Sequence, residues 1–210
     1  MNAHEVTKAF EARLCDYTGA PYAVVVDNCS NALFLALKWS KIEGQTIEIP
    51  RHTYPAVACE IIHAGGKVAY STYHAQPEGV LTGCYFLDPT YVVDCALDFT
   101  ADMYRDRQLQ CLSFTGPHKH LKLGKGGAIL TDSKEAYEWF KRARFSGRRE
   151  CSYLEDEIDM LGWNFYMMPE IAARGLQLMD QFYGPEGKKH NEPISLRYPD
   201  LSKFKCYGNQ

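Results

Sequence analysis

Apolar residues recur through the first segment at Val6, Phe10, Leu14 and Tyr17, a helical spacing that places them on one face and stops at Gly19. The pattern then changes period. "YAVVVD" is a short β-branched run, and "SNALFLALKWSKIEG" resumes helical periodicity from Ser30 to Gly44. "TIEIP" followed by "PAVACEIIHAGG" repeats the alternation, and "KVAYS", "YVVDC", "LQCLSF" and "GGAILTD" add further candidate strands. "SKEAYEWFKRARFSG" predicts a helix capped by Ser133, and "MPEIAARGLQLMDQF" predicts another with Pro169 at its start. Strands separated by helices predict βαβ units, and so a three-layer α/β/α domain on a mostly parallel sheet. From Gly184 onward the chain is rich in Pro, Gly and charge and too short for a second core. The expected organisation is one domain over residues 1–183 with an extended, surface-wrapping or partly disordered tail over 184–210.

Composition narrows the class. The chain has 210 residues, 46% of them hydrophobic, enough for one sizeable core. Its 23 basic and 26 acidic residues give a formal charge of −3, which offers no electrostatic footprint for nucleic acid or an anionic membrane. No apolar run approaches the roughly 20 residues that cross a bilayer, and the charged N-terminal segment carries no signal-like core, so neither nucleic acid nor membrane is an expected partner. Eight cysteines without a C-x-x-C pair fit a reduced, cytoplasmic compartment. No metal-ligand cluster stands out.

In a parallel α/β sheet, ligands bind beyond the carboxyl ends of the strands. Polar residues stand at four such places. "DNCS" joins a strand to a helix, where free backbone N–H groups and the Ser30 hydroxyl suit a phosphate, or where Ser30 is simply a helix cap. Tyr54 follows "TIEIP" and can lie flat on a planar ligand or pack in the core. Asp94 ends "YVV" as either a site carboxylate or a turn residue. Ser113 ends "CLSF", and Lys119 follows between His118 and His120. A lysine there is a nucleophile if a partly buried cleft keeps some of it neutral, and otherwise belongs to a basic loop.

The order of these features resembles the cofactor site of the DegT/DnrJ/EryC1/StrS sugar aminotransferases, which are pyridoxal-phosphate enzymes of fold type I. "YAVVVDNCSNALFLAL", "IPRHTYPAVACEIIHAGGKV", "VVDCALDFTADMY", "SFTGPHKHLKLGKGGAILTD" and "GWNFYMMPEIAARGLQL" are similar to five successive motifs of that family, over roughly residues 5 to 182. The resemblance implies the fold type I large domain without the small C-terminal domain. It implies that Asn28, Cys29, Ser30 and Ser113 hold the phosphate, Tyr54 stacks on the ring, Asp94 pairs with the ring nitrogen and Lys119 bonds the cofactor and moves the proton. Asn164 would reach the phosphate of a neighbouring subunit, which implies a homodimer. Leu97 stands where the family has a glutamine against the ring hydroxyl.

The implied activity transfers an amino group from an amino acid, commonly glutamate, to a keto group of a nucleotide-linked sugar, in polysaccharide biosynthesis. Two alternatives stay open. Counting forward from Ser113 places His118 at the lysine position, as in relatives that work as sugar dehydratases. The chain is otherwise a degenerate protein that binds pyridoxal phosphate or a nucleotide sugar without turnover.

Overall fold

In the computed structural model, which describes residues 3–71 and 79–207, the amphipathic pattern at the start of the chain is helix α1 (Ala3–Thr18), with Phe10, Leu14 and Tyr17 fully buried. Strand β1 (Tyr22–Val26) leads into α2 (Cys29–Trp39), β2 (Thr46–Pro50) into α3 (Pro55–His63), and β3 (Lys67–Ser71) closes this βα series. Three short strands follow: β4 (Val80–Thr82), β5 (Tyr85–Phe86) and β6 (Val92–Cys95). Then come β7 (Leu109–Ser113), β8 (Gly127–Thr131), α4 (Lys134–Ala143) and α5 (Pro169–Met179). The Ser133 hydroxyl accepts from the Ala136 N–H at 3.1 Å, the expected cap of α4.

The main sheet has the order β1-β8-β7-β6-β5. Strands β2 and β3 pair in parallel and join it through reciprocal backbone bonds between Glu48 and Asp88, at 2.8 and 3.1 Å. The expectation of a mostly parallel sheet holds for strand direction but not for pairing. β5 and β8 run against the rest, so β1–β8, β7–β8 and β5–β6 are antiparallel, and β6–β7 is parallel. For β5–β6 the reason is connectivity: only residues 87–91 separate the two strands, and a parallel neighbour needs a longer crossover. The links of β6–β7 and β7–β8 are equally long and neither carries a helix, so connection length does not set their opposite pairing.

Side chains alternate across this sheet and divide the core. Val24, Val26, Val92, Cys111 and Ile129 join the cluster of α2, α3 and α4, whereas Ala23, Val25, Val93, Leu112 and Leu130 join that of α1 and α5. This is the three-layer arrangement. A buried ion network ties it together: the Arg144 guanidinium, with no exposed surface, donates to Glu11, to the Val25 carbonyl and to Glu150. Such a group is costly to strand and therefore fixes α1, β1 and the end of α4 relative to one another.

Beyond α5 the chain forms β9 (Tyr183–Gly184), β10 (Gly187–Lys188) and β11 (Ser195–Arg197). It then crosses the sheet's ligand-binding edge. The Asn191 side chain donates to Phe99 O at 2.8 Å, Ile194 N to Leu97 O at 2.7 Å, and β11 pairs with β4. Leu201, fully buried, donates its N–H to Arg51 O at 2.8 Å. Among the described residues no helix is long and apolar enough to cross a membrane.

Candidate active site

The turn from β1 to α2 is built for close approach. A Cβ on Gly127, the first residue of β8, would lie 2.6 Å from both Asn28 C and Cys29 N, so only glycine lets β8 pass this turn. Asn28, rather than Ser30, is the helix cap, its side chain accepting from Asn31 N at 2.8 Å. The capping signal was displaced by two residues because Asn and Ser serve equally well there. Ser30 thereby falls in the first turn, where its N–H and that of Cys29 have no intrahelical acceptor and point toward the positive end of the helix. The Asp27 carboxylate is held at this turn, accepting from Asn31 Nδ2 at 2.7 Å and Asn28 Nδ2 at 3.1 Å, with the Lys125 ammonium at 3.6 Å.

Asp94 stands at the carboxyl end of β6 and is buried. Its Oδ2 accepts from the Tyr85 hydroxyl at 2.8 Å and its Oδ1 from Ala96 N at 2.8 Å; Tyr85 in turn contacts Thr53 Oγ1 at 2.6 Å. Burial raises the carboxyl pKa, and these two hydrogen bonds with the charge of Lys119 pull it back. Among the described residues no side-chain cation touches Asp94. The Lys119 ammonium donates to Ala96 O at 2.5 Å, so Asp94 and Lys119 grip the two ends of one residue's backbone. Burial lowers the Lys119 pKa, and the Cys29 thiol and Asp94 oppose that shift.

A cavity of about 690 Å³ joins these groups. Asn28, Cys29, Ser30, Tyr54, Asp94, Ser113, His118 and Lys119 all line it. Cys29 is buried, and its thiol points at Cys111 O at 3.7 Å. Tyr54, at the cap of α3, is 57% exposed, leaving its ring available at the mouth. His118 faces solvent, whereas Lys119 is partly buried beside Asp94. His120 points elsewhere, its Nε2 lying 3.0 Å from Glu192 O. Asn164 is the one predicted site residue that does not reach this cavity: it is exposed, and its backbone bridges Phe145. Its segment nevertheless adjoins the β1–α2 turn, with Asp27 N donating to Phe165 O at 3.0 Å.

Sequence reasoning missed Tyr85, which sits in a two-residue strand with no periodicity to read, and Tyr198 with Leu196, which arrive from the C-terminal segment. It also missed Thr115 in the loop between β7 and β8. The arrangement offers helix N–H groups for an anion, an aromatic wall, a buried carboxyl and a partly buried amine. Together they suit a phosphorylated aromatic cofactor.

Residues 2–77 match the model of the DegT/DnrJ/EryC1/StrS aminotransferase family. The chain is 24% identical, over 234 residues, to the spore coat polysaccharide biosynthesis protein SpsC of Bacillus subtilis, a match covering 90% of this chain and 59% of SpsC. Its fold is similar to that of Helicobacter pylori PseC, an aminotransferase involved in the biosynthesis of pseudoaminic acid (TM-score 0.64, 16% identity, 84% of this chain and 57% of PseC). It is also similar to a DegT DnrJ EryC1 StrS aminotransferase from Brucella abortus (TM-score 0.66, 18% identity, 83% of this chain and 58% of that one). The fold is that of the fold type I pyridoxal-phosphate-dependent aminotransferases. The chain spans less than two thirds of the length of each of these relatives.

Proposed function

We propose that this chain, a relative of the DegT/DnrJ/EryC1/StrS aminotransferase family, binds pyridoxal phosphate and moves an amino group from an amino acid, with glutamate as donor, to a keto group of a nucleotide-linked sugar. The observation that carries this reading is Asp94 and Lys119 in one cavity, a buried carboxyl and a partly buried amine whose pKa values are pushed toward their neutral forms. The residues present fit the cofactor. A buried carboxyl without a side-chain cation in contact gains a counter-charge from a protonated pyridine nitrogen. A partly buried lysine with only a backbone carbonyl as hydrogen-bond acceptor keeps a neutral fraction at lower pH than an exposed lysine.

When bound, the cofactor supplies an aldehyde carbon and an electron-withdrawing ring. Cys29 and Ser30, with Ser113, would bind the phosphate through backbone N–H and hydroxyl groups, and Asn28 orients their turn. Tyr54 would lie against the ring. Asp94, held in place by Tyr85 and Ala96, would accept the ring N–H and keep that nitrogen protonated. Lys119 would bond the cofactor and, once displaced by the amino donor, carry the proton at the amino-bearing carbon. The alternative sugar dehydratase, with His118 as base, has the weaker support because His118, though it lines the cavity, is exposed, whereas Lys119 is partly buried and bonded to Ala96 beside Asp94. The degenerate binder is separated from both readings by turnover.

Mixing the purified chain with pyridoxal phosphate should produce the visible absorption of a lysine-bound cofactor, which borohydride removes. Lys119→Ala should lose the band and His118→Ala should keep it. A band that persists in Lys119→Ala overturns the assignment, because it requires another primary amine on the aldehyde. We further propose that Asn164 serves a neighbouring copy, so the same sample should sediment as a homodimer. A monomer that holds the cofactor takes Asn164 out of the site.

A further inference from the structure

Tyr198 enters the cavity from the far end of the chain, and its backbone is pinned on every side. Its N–H donates to Gly79 O at 3.0 Å, and its carbonyl lies 3.0 Å from His52 Nδ1. Just before it, β11 is held against β4 by the pairs Ser195–Thr82, Leu196–Leu81 and Arg197–Val80. Just after it, Leu201 is buried and bonded to Arg51. The ring meets Tyr54 edge-on, with centroids 6.4 Å apart at 69°.

The hydroxyl at the end of this fixed ring makes no hydrogen bond to any described residue. Burial, followed by the charges of Asp94, Tyr54 and Cys29, pushes its pKa up to about 12, so it stays protonated at neutral pH. It is therefore a donor held near Asp94 without a protein acceptor. Around Asp94, Tyr85 is committed to the carboxylate, Thr53 to Tyr85 and Lys119 to Ala96 O.

We propose that Tyr198 is a cofactor-contacting residue whose hydroxyl donates a hydrogen bond to the phenolic oxygen on the ring of pyridoxal phosphate. This rests on the function proposed above. The cofactor has four polar handles, and three are matched: the nitrogen by Asp94, the phosphate by the turn at Cys29 and Ser30, and the aldehyde by Lys119. The phenolic oxygen and the Tyr198 hydroxyl are the unmatched pair. In this arrangement the C-terminal segment supplies, from the same chain, one wall of the cavity and one donor within it.

The test is equilibrium dialysis of the whole chain, wild type and Tyr198→Phe, with pyridoxal phosphate and with its 3-deoxy analogue, which lacks the phenolic oxygen. Tyr198→Phe should weaken binding of pyridoxal phosphate by about 2- to 12-fold, the range for one hydrogen bond, and leave binding of the analogue unchanged. A merely structural role would weaken both ligands equally, and that outcome overturns the proposal. So does equal binding of pyridoxal phosphate by the two proteins. Circular dichroism confirms that the variant is folded. Wild type that binds neither ligand overturns the proposed function and this contact together, whereas wild type that binds while the variant shows no selective loss overturns the contact alone.

Discussion

Burial acts on Asp94 and Lys119 in opposite senses, and this joint shift gives the cavity its chemical character. Because folding raises the Asp94 pKa, its carboxylate costs stability above the unfolded-state value, and the cost fades as pH falls through the folded value. Asp94→Asn removes that cost and keeps an oxygen for the Ala96 N–H. Calorimetry should therefore find the variant melting no lower than wild type near neutral pH. Its turnover should drop by about 10²-fold or more, because the ring nitrogen loses its charged partner. A variant with full turnover would mean that another carboxylate serves the ring.

Asp94, Ser113, Tyr54 and Lys119 were legible in the sequence because each follows a recognisable strand, where such folds place their ligands. Tyr85 was not, since its role depends on standing opposite Asp94 in the β5–β6 register, a non-local pairing that no short-range pattern encodes.

At the scale of elements, the approach of β8 to the β1–α2 turn fixes the start of α2, the proposed phosphate contact. Gly127→Ala would drive a methyl into Asn28 and Cys29, displacing the start of α2. A loss of about 1–3 kcal/mol in stability is expected, read by chemical denaturation. Cofactor affinity should weaken with it; unchanged affinity would show that the turn does not bind the phosphate. The helices and longer strands were readable from periodicity. The reversal of β5 and β8 was not, because side-chain alternation reads the same in either direction: β6–β7 and β7–β8 have links of equal length without a helix, yet one pair is parallel and the other antiparallel. The strand in the C-terminal segment was equally hidden: β11 spans three residues, and its partner β4 lies more than a hundred residues earlier.

At the scale of the whole molecule, the cavity draws on residues from Asn28 to Tyr198, so its geometry depends on the entire described chain. The C-terminal crossing forms one of its walls, and the Arg144 network ties α1, β1 and the end of α4 together outside it. Neither could be read from the sequence, because both rest on contacts between distant segments. The most direct test of the central claim, that this cavity is a working aminotransferase site, is the half-reaction. Glutamate added to the pyridoxal-phosphate-loaded chain should bleach the visible band and release stoichiometric 2-oxoglutarate, and Lys119→Ala should do neither. A band that persists unchanged in the presence of glutamate, with no 2-oxoglutarate formed, would contradict the account.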